Sequence, residues 1–272
     1  MPNTTFSRFA TCLLGLALFA GNVQAAPTAT PGTLKVGMEI SYPPFESYSY
    51  PPFESYEGDK VVGFDPEVAN ELARQLGGMK VEFVDTRFPN LILGLNANRF
   101  DTIISGMYIT DERTRQAEAI PYAQVGAAIM VRSDSTAKPQ LPEDLCGLKV
   151  GLQQGTNWIN QLKAVSADYC VRQNKGEIAI SEFPTTAEAS QALISGNIQA
   201  HLEISAAAKM IVDKARGRIV ISSEKSLYPQ TLGIYVKKGN GELIEKLRDV
   251  VERYKQSDEY RELLSKYNLE PA

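Results

Sequence analysis

The chain has 272 residues, 28 lysines and arginines against 32 aspartates and glutamates, a net charge of −4 and three cysteines. An acidic balance without a basic patch gives no footing for a nucleic-acid binder. A single histidine, His201, and no Cys-x-x-Cys leave a metal site without ligands, and neither a metal nor a cofactor is expected.

Residues 1–25 carry a lone Arg8, an apolar run from Cys12 to Ala20 and the small residues Val23 and Ala25 at the positions a signal peptidase reads. They predict a secretory leader cut after Ala25. The apolar run is about half of the roughly 20 residues that cross a bilayer. Cys12 sits away from the cleavage point, which argues against a lipid anchor. The product is expected to be exported, with residues 26–32 as a Pro/Thr/Ala tail. Cys146 and Cys170, the cysteines that remain, are then in an oxidising compartment and are expected to pair. Closing that loop is worth on the order of 3 kcal/mol in the chain-entropy model.

Leu34 to Ile40 reads as a buried strand. After it comes SYPPFESY twice over, Ser41–Tyr48 and Ser49–Tyr56. Proline fixes φ, and Tyr and Phe offer rigid apolar faces, so a loop of this kind at a strand end suits a small-molecule clamp. Asp65 to Leu76 follows as a helix with Val68, Leu72 and Leu76 on one stripe and Gly77-Gly78 as its stop. The pattern then predicts strands at 81–84 and 102–105, a helix at 90–96, and a short helix opened by Thr110. Strand 127–131 leads to a polar, proline-bearing passage at 132–142.

A second alternating series follows. Strands are expected at 148–152, 178–182, 199–203, 219–221 and 233–236, and helices at 155–165, 186–194, 205–215, 242–254 and 257–267. Alternation implies a largely parallel sheet with helical crossovers. Two such series imply two lobes with a crevice at the strand carboxyl ends.

Within this frame Arg113 lies just inside the helix after Ser105-Gly106-Met107-Tyr108-Ile109-Thr110. A guanidinium there suits a carboxylate, and equally could pair with Asp111 or Glu112. Gly155-Thr156-Asn157 makes a second helix start on the other lobe. Trp158 faces the crevice or packs.

Gly63-Phe64-Asp65-Pro66-Glu67-Val68, the segment from Ser105 to Arg113, and Val150-Gly151-Leu152-Gln153-Gln154-Gly155-Thr156 together resemble the family 3 periplasmic solute-binding proteins of polar amino-acid ABC transporters. The resemblance runs from about Leu34 to Tyr267. It implies a two-lobed α/β periplasmic binding fold of type II with two crossover strands, lobe 1 being 33–131 with 231–272 and lobe 2 being 132–230. It implies a monomer that takes a small ligand with a carboxylate to a membrane permease, and no enzyme activity. The alternatives are a ligand-loaded partner of a membrane sensor and a dehydratase on the same scaffold, as the periplasmic cyclohexadienyl dehydratases resemble.

Position by position, Arg113 resembles the arginine on the ligand carboxylate, with the backbone of Gly106 and Thr156 completing the clamp, and Ser105 and Asn157 beside it. Tyr42 or its copy Tyr50 resembles the ring lying on the ligand side chain, with Phe88 opposite. Glu39 falls where binders of basic amino acids carry an acid, or is an exposed acid ending a strand. Two positions depart from the pattern: Tyr108 stands where a serine or threonine is usual, and Ile204 where an aspartate is. Glu203 is the nearest acid, but neighbours on a strand point to opposite faces. His201 shares the strand face of Glu203 and either assists it or packs. In the doubled loop, Tyr42 is expected to keep the family position, since it stands at the ordinary distance from Glu39.

Overall fold

A computed structural model of the chain describes Met1 and residues 28–49 and 60–272. The expected leader beyond Met1, and Tyr50 with most of the second loop copy, lie outside the described residues.

The first series begins with β1 (Thr33–Met38), followed by the short strands β2 (Ser41–Tyr42), β3 (Glu46–Ser49) and β4 (Lys60–Val62). Helix α1 (Phe64–Gln75) follows, then β5 (Lys80–Asp85), α2 (Leu91–Asn96), β6 (Thr102–Ile103) and α3 (Asp111–Gln116). Strand β7 (Ala117–Arg132) leads to the second series: β8 (Lys149–Gln153), α4 (Trp158–Val165), β9 (Ala179–Phe183), α5 (Thr186–Ile194), β10 (Ala200–Ile204), α6 (Ser205–Lys214) and β11 (Ile219–Ile221). Strand β12 (Leu227–Lys237), α7 (Gly241–Lys255) and α8 (Asp258–Tyr267) complete the chain. Among the described residues no helix is long and apolar enough to cross a membrane.

Local chemistry accounts for most boundaries. In α1 the acids Asp65 and Glu67 sit in the first turn and Arg74 in the last, matching the helix dipole. Pro66 falls within the first turn, where a missing N–H costs nothing. Thr110, Thr185 and Ser257 cap α3, α5 and α8 with their hydroxyls. Asn268 ends α8 in the left-handed region.

The sheet is mixed rather than largely parallel, and that corrects the expectation from alternation. Its order is β5-β1-β6-β12-β7-β10-β8-β9, with β11 also on β7. Strands pair in parallel within each series, as β5-β1-β6 and β10-β8-β9 do, but β7 and β12 run antiparallel to each other and to β10 and β6. Both long strands exceed their predicted spans. Pro121 lies within β7 and Pro229 within β12, and Pro121 sits where the β7–β12 register shifts, a place that tolerates the missing donor.

These two strands join the series into the two-lobed fold. Residues Ala117–Val125 of β7 pair along β12, and Ala127–Met130 pair with β10. The main apolar cluster runs through both series, from Leu34, Val36 and Leu72 to Val150 and Leu162, with one smaller cluster around Phe88, Leu91, Leu95, Phe100 and Tyr235 and another around Met130, Leu193, Ile198 and Ile219.

Two features were not anticipated. The doubled loop contributes a small antiparallel sheet, β2-β3-β4. Helix α4 begins three residues after Gly155 and runs on into a π turn, Ser166–Val171, that carries Cys170. Cys146 and Cys170 are joined in a disulfide, S–S 2.01 Å.

Candidate functional site

The loop after β1 is held by backbone contacts that only one glycine permits. Phe64 N–H donates to the Pro44 carbonyl at 3.1 Å and Asp65 N–H to that of Phe45 at 3.0 Å. Gly63 adopts φ +133°, and a Cβ there would stand 2.2 Å from the Phe45 oxygen. Phe45 packs flat against Tyr42, with ring centroids 5.2 Å apart. Gly106, at φ +52°, would carry any Cβ 3.2 Å from the Tyr42 ring. Copy one of the repeat is thus seated in the fold, with Tyr42 at the crevice.

Under this loop lies a pair of buried acids. Glu46, from copy one, and Asp65 are both fully buried. Asp65 accepts from Tyr122 OH at 2.7 Å and from Gly106 N–H at 2.6 Å. Glu46 accepts from Ser105 Oγ at 2.5 Å, and Ser105 Oγ in turn accepts from Glu39 N–H at 3.1 Å. Burial raises both acids: Asp65 is pushed up to about 6 against the hydrogen bonds of Tyr122, Glu46 and Gly106, and Glu46, with Asp65 adding to the effect of burial, goes well above the usual carboxylate range. Two carboxyls in contact hold one proton between them at neutrality more readily than ordinary acids do.

The crevice itself is lined by Tyr42, Phe88, Gly106, Tyr108, Arg113, Gln153, Thr156, Asn157, Trp158, Glu203 and Ile204. The cavity between them is about 20 Å³, far below the roughly 300–1,000 Å³ of ligand pockets. A wider cavity of about 410 Å³ adjoins it on the side of Arg113 and Thr156, and another of about 400 Å³ lies on the side of Glu39.

Arg113 is 9% exposed and does not pair with Asp111 or Glu112. Its Nη1 donates to the Tyr108 carbonyl at 2.7 Å and its Nη2 to the Gly155 carbonyl at 3.0 Å, and the guanidinium carbon stands 5.4 Å over the Phe88 ring. Thr110 sets this placement, because its hydroxyl accepts from the Arg113 N–H and fixes the first turn of α3. Burial pulls the guanidinium pKa down, opposed by Tyr235 and Glu112.

Glu203 is 4% exposed and reaches the crevice from the end of β10. Its Oε1 accepts from Tyr42 OH at 2.8 Å and from Ile204 N–H at 2.7 Å, and its Oε2 accepts from Thr186 Oγ1 at 2.5 Å. Ile204 lines the same cavity, because the strand ends there and its face alternation no longer separates the two residues. Burial and Glu203 push the Tyr42 phenol well above its usual range, so it remains a donor.

Glu39 is not an exposed strand end: it is 3% exposed. Its Oε2 accepts from Gln153 Nε2 at 2.5 Å, and burial raises its pKa against the pull of Gln153 and Arg87. Gln153 Oε1 lies 3.1 Å from Thr186 Oγ1, which links the Glu39 and Glu203 carboxylates through two side chains.

The remaining expectations find other surroundings. Ser105 does not line the crevice, since its hydroxyl serves Glu46. The Gly106 amide, implied as part of a carboxylate clamp, serves Asp65 instead. Thr156 Oγ1 donates to the Gln153 carbonyl at 2.8 Å, and Asn157 Nδ2 to Gln230 Oε1 at 2.7 Å. Tyr108 OH turns from the crevice toward the Val125 carbonyl at 3.3 Å, and its ring meets the buried Trp158 edge-on at 5.2 Å. His201 is fully buried, its Nδ1 meets the Gly151 carbonyl at 2.9 Å and its Nε2 stands 4.0 Å from Glu203 Oε2, and burial lowers its pKa against the pull of Glu203.

Gln153, Thr186, Glu46 and Asp65 were not singled out by the sequence. Asp65 and Gln153 lie inside the quoted motifs, and Glu46 was visible as an acid inside an aromatic loop. Thr186 left no signal.

A mixed sheet with two long joining strands and an acid- and arginine-lined crevice defines a two-lobed α/β ligand-binding protein. The chain belongs to the bacterial extracellular solute-binding proteins, family 3, whose profile matches residues 34–270. It is 29% identical over 223 residues to the L-cystine-binding protein TcyJ of Escherichia coli (strain K12), covering 81% of this chain and 76% of that protein. An ancestral arginine-binding protein bound to arginine is 34% identical with a TM-score of 0.75, over 87% of this chain and 98% of that one. The ancestral amino acid-binding protein AncCDT-1, a precursor of cyclohexadienyl dehydratase, is 30% identical with a TM-score of 0.72, over 87% and 95%.

Proposed function

We propose that the protein is a periplasmic receptor that closes its two lobes over an amino acid and delivers it to an ABC transporter permease. The observation that carries this reading is the meeting of Arg113, Tyr42 and Glu203 at one buried cavity between the two series. Arg113 takes the ligand carboxylate in place of the Gly155 carbonyl it now meets. Glu203 takes the ammonium, standing in for the family aspartate replaced by Ile204. Tyr42 covers the side chain with Phe88 opposite.

The central cavity is too small for an amino acid, so binding begins from an opened form. Opening separates Tyr42 from Glu203, Gln153 from Glu39 and Arg113 from Gly155. Lobe 1, at 33–131 and 231–272, then turns against lobe 2, at 132–230, about β7 and β12. Micromolar binding corresponds to about −8 kcal/mol, and a charged hydrogen bond supplies roughly 1.5–3. Several crevice groups must therefore contribute. The receptor is read as a monomer.

The relatives' ligands, cystine and arginine, are amino acids, and this supports the choice of class. AncCDT-1 keeps a dehydratase in view, because a buried acid such as Glu39 is what a general acid requires. The protein is read as a binder and not an enzyme. A thermal-shift screen of amino acids, amines and carboxylates tests the reading. Ligand at 100 times its Kd adds about 2.7 kcal/mol, and a screen in which no amino acid raises Tm refutes it. Turnover of a cyclohexadienyl acid would put the enzyme first.

A further inference from the structure

Beyond Gln153 lies a second, charged cavity that shares no lining residue with the central one, and a ligand held only by Arg113 and Glu203 would leave it unoccupied. Glu39, Asp85, Thr86 and Arg87 line a cavity of about 400 Å³ there, faced from the start of α5 by Glu188. Oε1 of Glu39 and Oγ1 of Thr86 are buried without a hydrogen-bond partner among the described residues, the Phe88 N–H acting on the Glu39 carboxyl only as a minor pull on its pKa. Native proteins seldom bury such atoms without one, and two of them at one cavity mark a place where another molecule completes the bonding. Arg87 stands beside them, with Nη1 4.0 Å from Glu39 Oε1 and its side chain 58% exposed. That separation is too long for a hydrogen bond, so the donor edge of Arg87 remains open to an anion. Asp85 is turned inward, its Oδ1 accepting from Ile40 N–H at 3.0 Å.

A bare cation would satisfy Glu39 but would lie against the Arg87 guanidinium. A head carrying both signs satisfies all of these groups, with its ammonium on Glu39 Oε1 and Thr86 Oγ1 and its carboxylate on Arg87. This is the same pairing of one arginine with one glutamate that Arg113 and Glu203 make at the other end. Gln153 spans the two, donating to Glu39 Oε2 and approaching Thr186, which donates to Glu203.

We infer that the ligand is a two-headed amino acid, with one zwitterionic group at each end of the cleft and its linking chain passing Gln153. The inference rests on the amino-acid reading of the Arg113 end. L-cystine and meso-diaminopimelate belong to this chemical class, whereas L-arginine and L-glutamine have one such head.

Calorimetric titration of the purified protein and of Arg87→Gln with these four probes tests it. The expected result is that cystine or diaminopimelate binds about tenfold or more tightly than arginine and glutamine, and that Arg87→Gln lowers the ratio of two-headed to arginine affinity by about tenfold or more. Arg87 is exposed, and an unchanged Tm without ligand shows that the variant is folded. Arginine binding tightest, or an affinity ratio that Arg87→Gln leaves alone, overturns the two-headed ligand while the amino-acid reading stands. If none of the four binds while another amino acid does, the two-headed ligand is overturned and the amino-acid reading stands; if no amino acid binds, that reading itself fails.

Discussion

The Tyr42 hydroxyl donates to Glu203 Oε1 at 2.8 Å, tying the first loop of the chain to a strand end 161 residues later. The bond closes the crevice from one side to the other, and both of its members face the cavity. Any ligand that takes its place must offer Glu203 a donor and Tyr42 a surface.

Tyr42→Ala is therefore expected to weaken ligand binding by about tenfold or more, the scale of one lost charge-assisted hydrogen bond with its ring contact. Tyr50→Ala, in the second copy, is expected to change binding by less than about twofold. Titration of both variants with the same ligand decides this. Equal losses would show that the two copies share the position and that a single register does not hold.

Arg113→Ala removes the only guanidinium lining the central cavity among the described residues. Ligand affinity should fall by about 10- to 100-fold, and the thermal stabilisation by ligand should vanish at concentrations that stabilise the parent. Arg113→Lys keeps the charge without the planar fork and should recover only part of the loss. Binding near the parent level in Arg113→Ala would remove this residue from the site.

The Glu46–Asp65 pair predicts a pH dependence of stability. Both acids hold their proton more tightly in the folded chain than at their ordinary 3.8 and 4.5, Asp65 up to about 6. The Asp65 contribution is fully present below the ordinary carboxylate range and is lost as pH rises through about 6, and that of Glu46 is lost as pH rises through its own raised value. Glu46→Gln keeps a neutral donor and acceptor at that place, so it should gain on the parent as pH rises. A gain of about 1 kcal/mol at pH 8 would raise Tm by about 2–4 °C in a protein of this size. Melting curves from pH 4 to 8 that run parallel for parent and variant would show that the pair does not titrate in this way.

The Cys146–Cys170 bridge closes a loop with a sequence separation of 24. Replacing both cysteines by serine should cost about 3 kcal/mol by loop entropy, a fall of roughly 6–12 °C in Tm. Differential scanning calorimetry with and without reductant checks the figure. A parent Tm indifferent to reduction would leave the bridge without this role.

Much of this molecule could be read along the chain, because its helices and short strands announce themselves locally. The Val68-Leu72 stripe, the Thr110, Thr185 and Ser257 caps and the Gly77-Gly78 stop each act within a few residues. The placing of Arg113 belongs with them, since Thr110 fixes it across three residues. The two long strands were read too short for the same reason. Pro121 and Pro229 are local breakers, but pairing between β7 and β12 absorbs them at irregularities that only the partner strand defines.

The alternation, the motifs of the family, the pairing of the cysteines and a doubled aromatic loop at a strand end can all be taken from the order of residues alone. The tertiary structure decided which side chains meet. Tyr42 with Glu203, Gln153 with Glu39 and Glu46 with Asp65 are separated along the chain, and no periodicity states which loop ends converge. Burial did the rest. A carboxylate at a strand end is an ordinary solvated group until packing removes the water, and only then must it find a donor across the crevice or keep its proton.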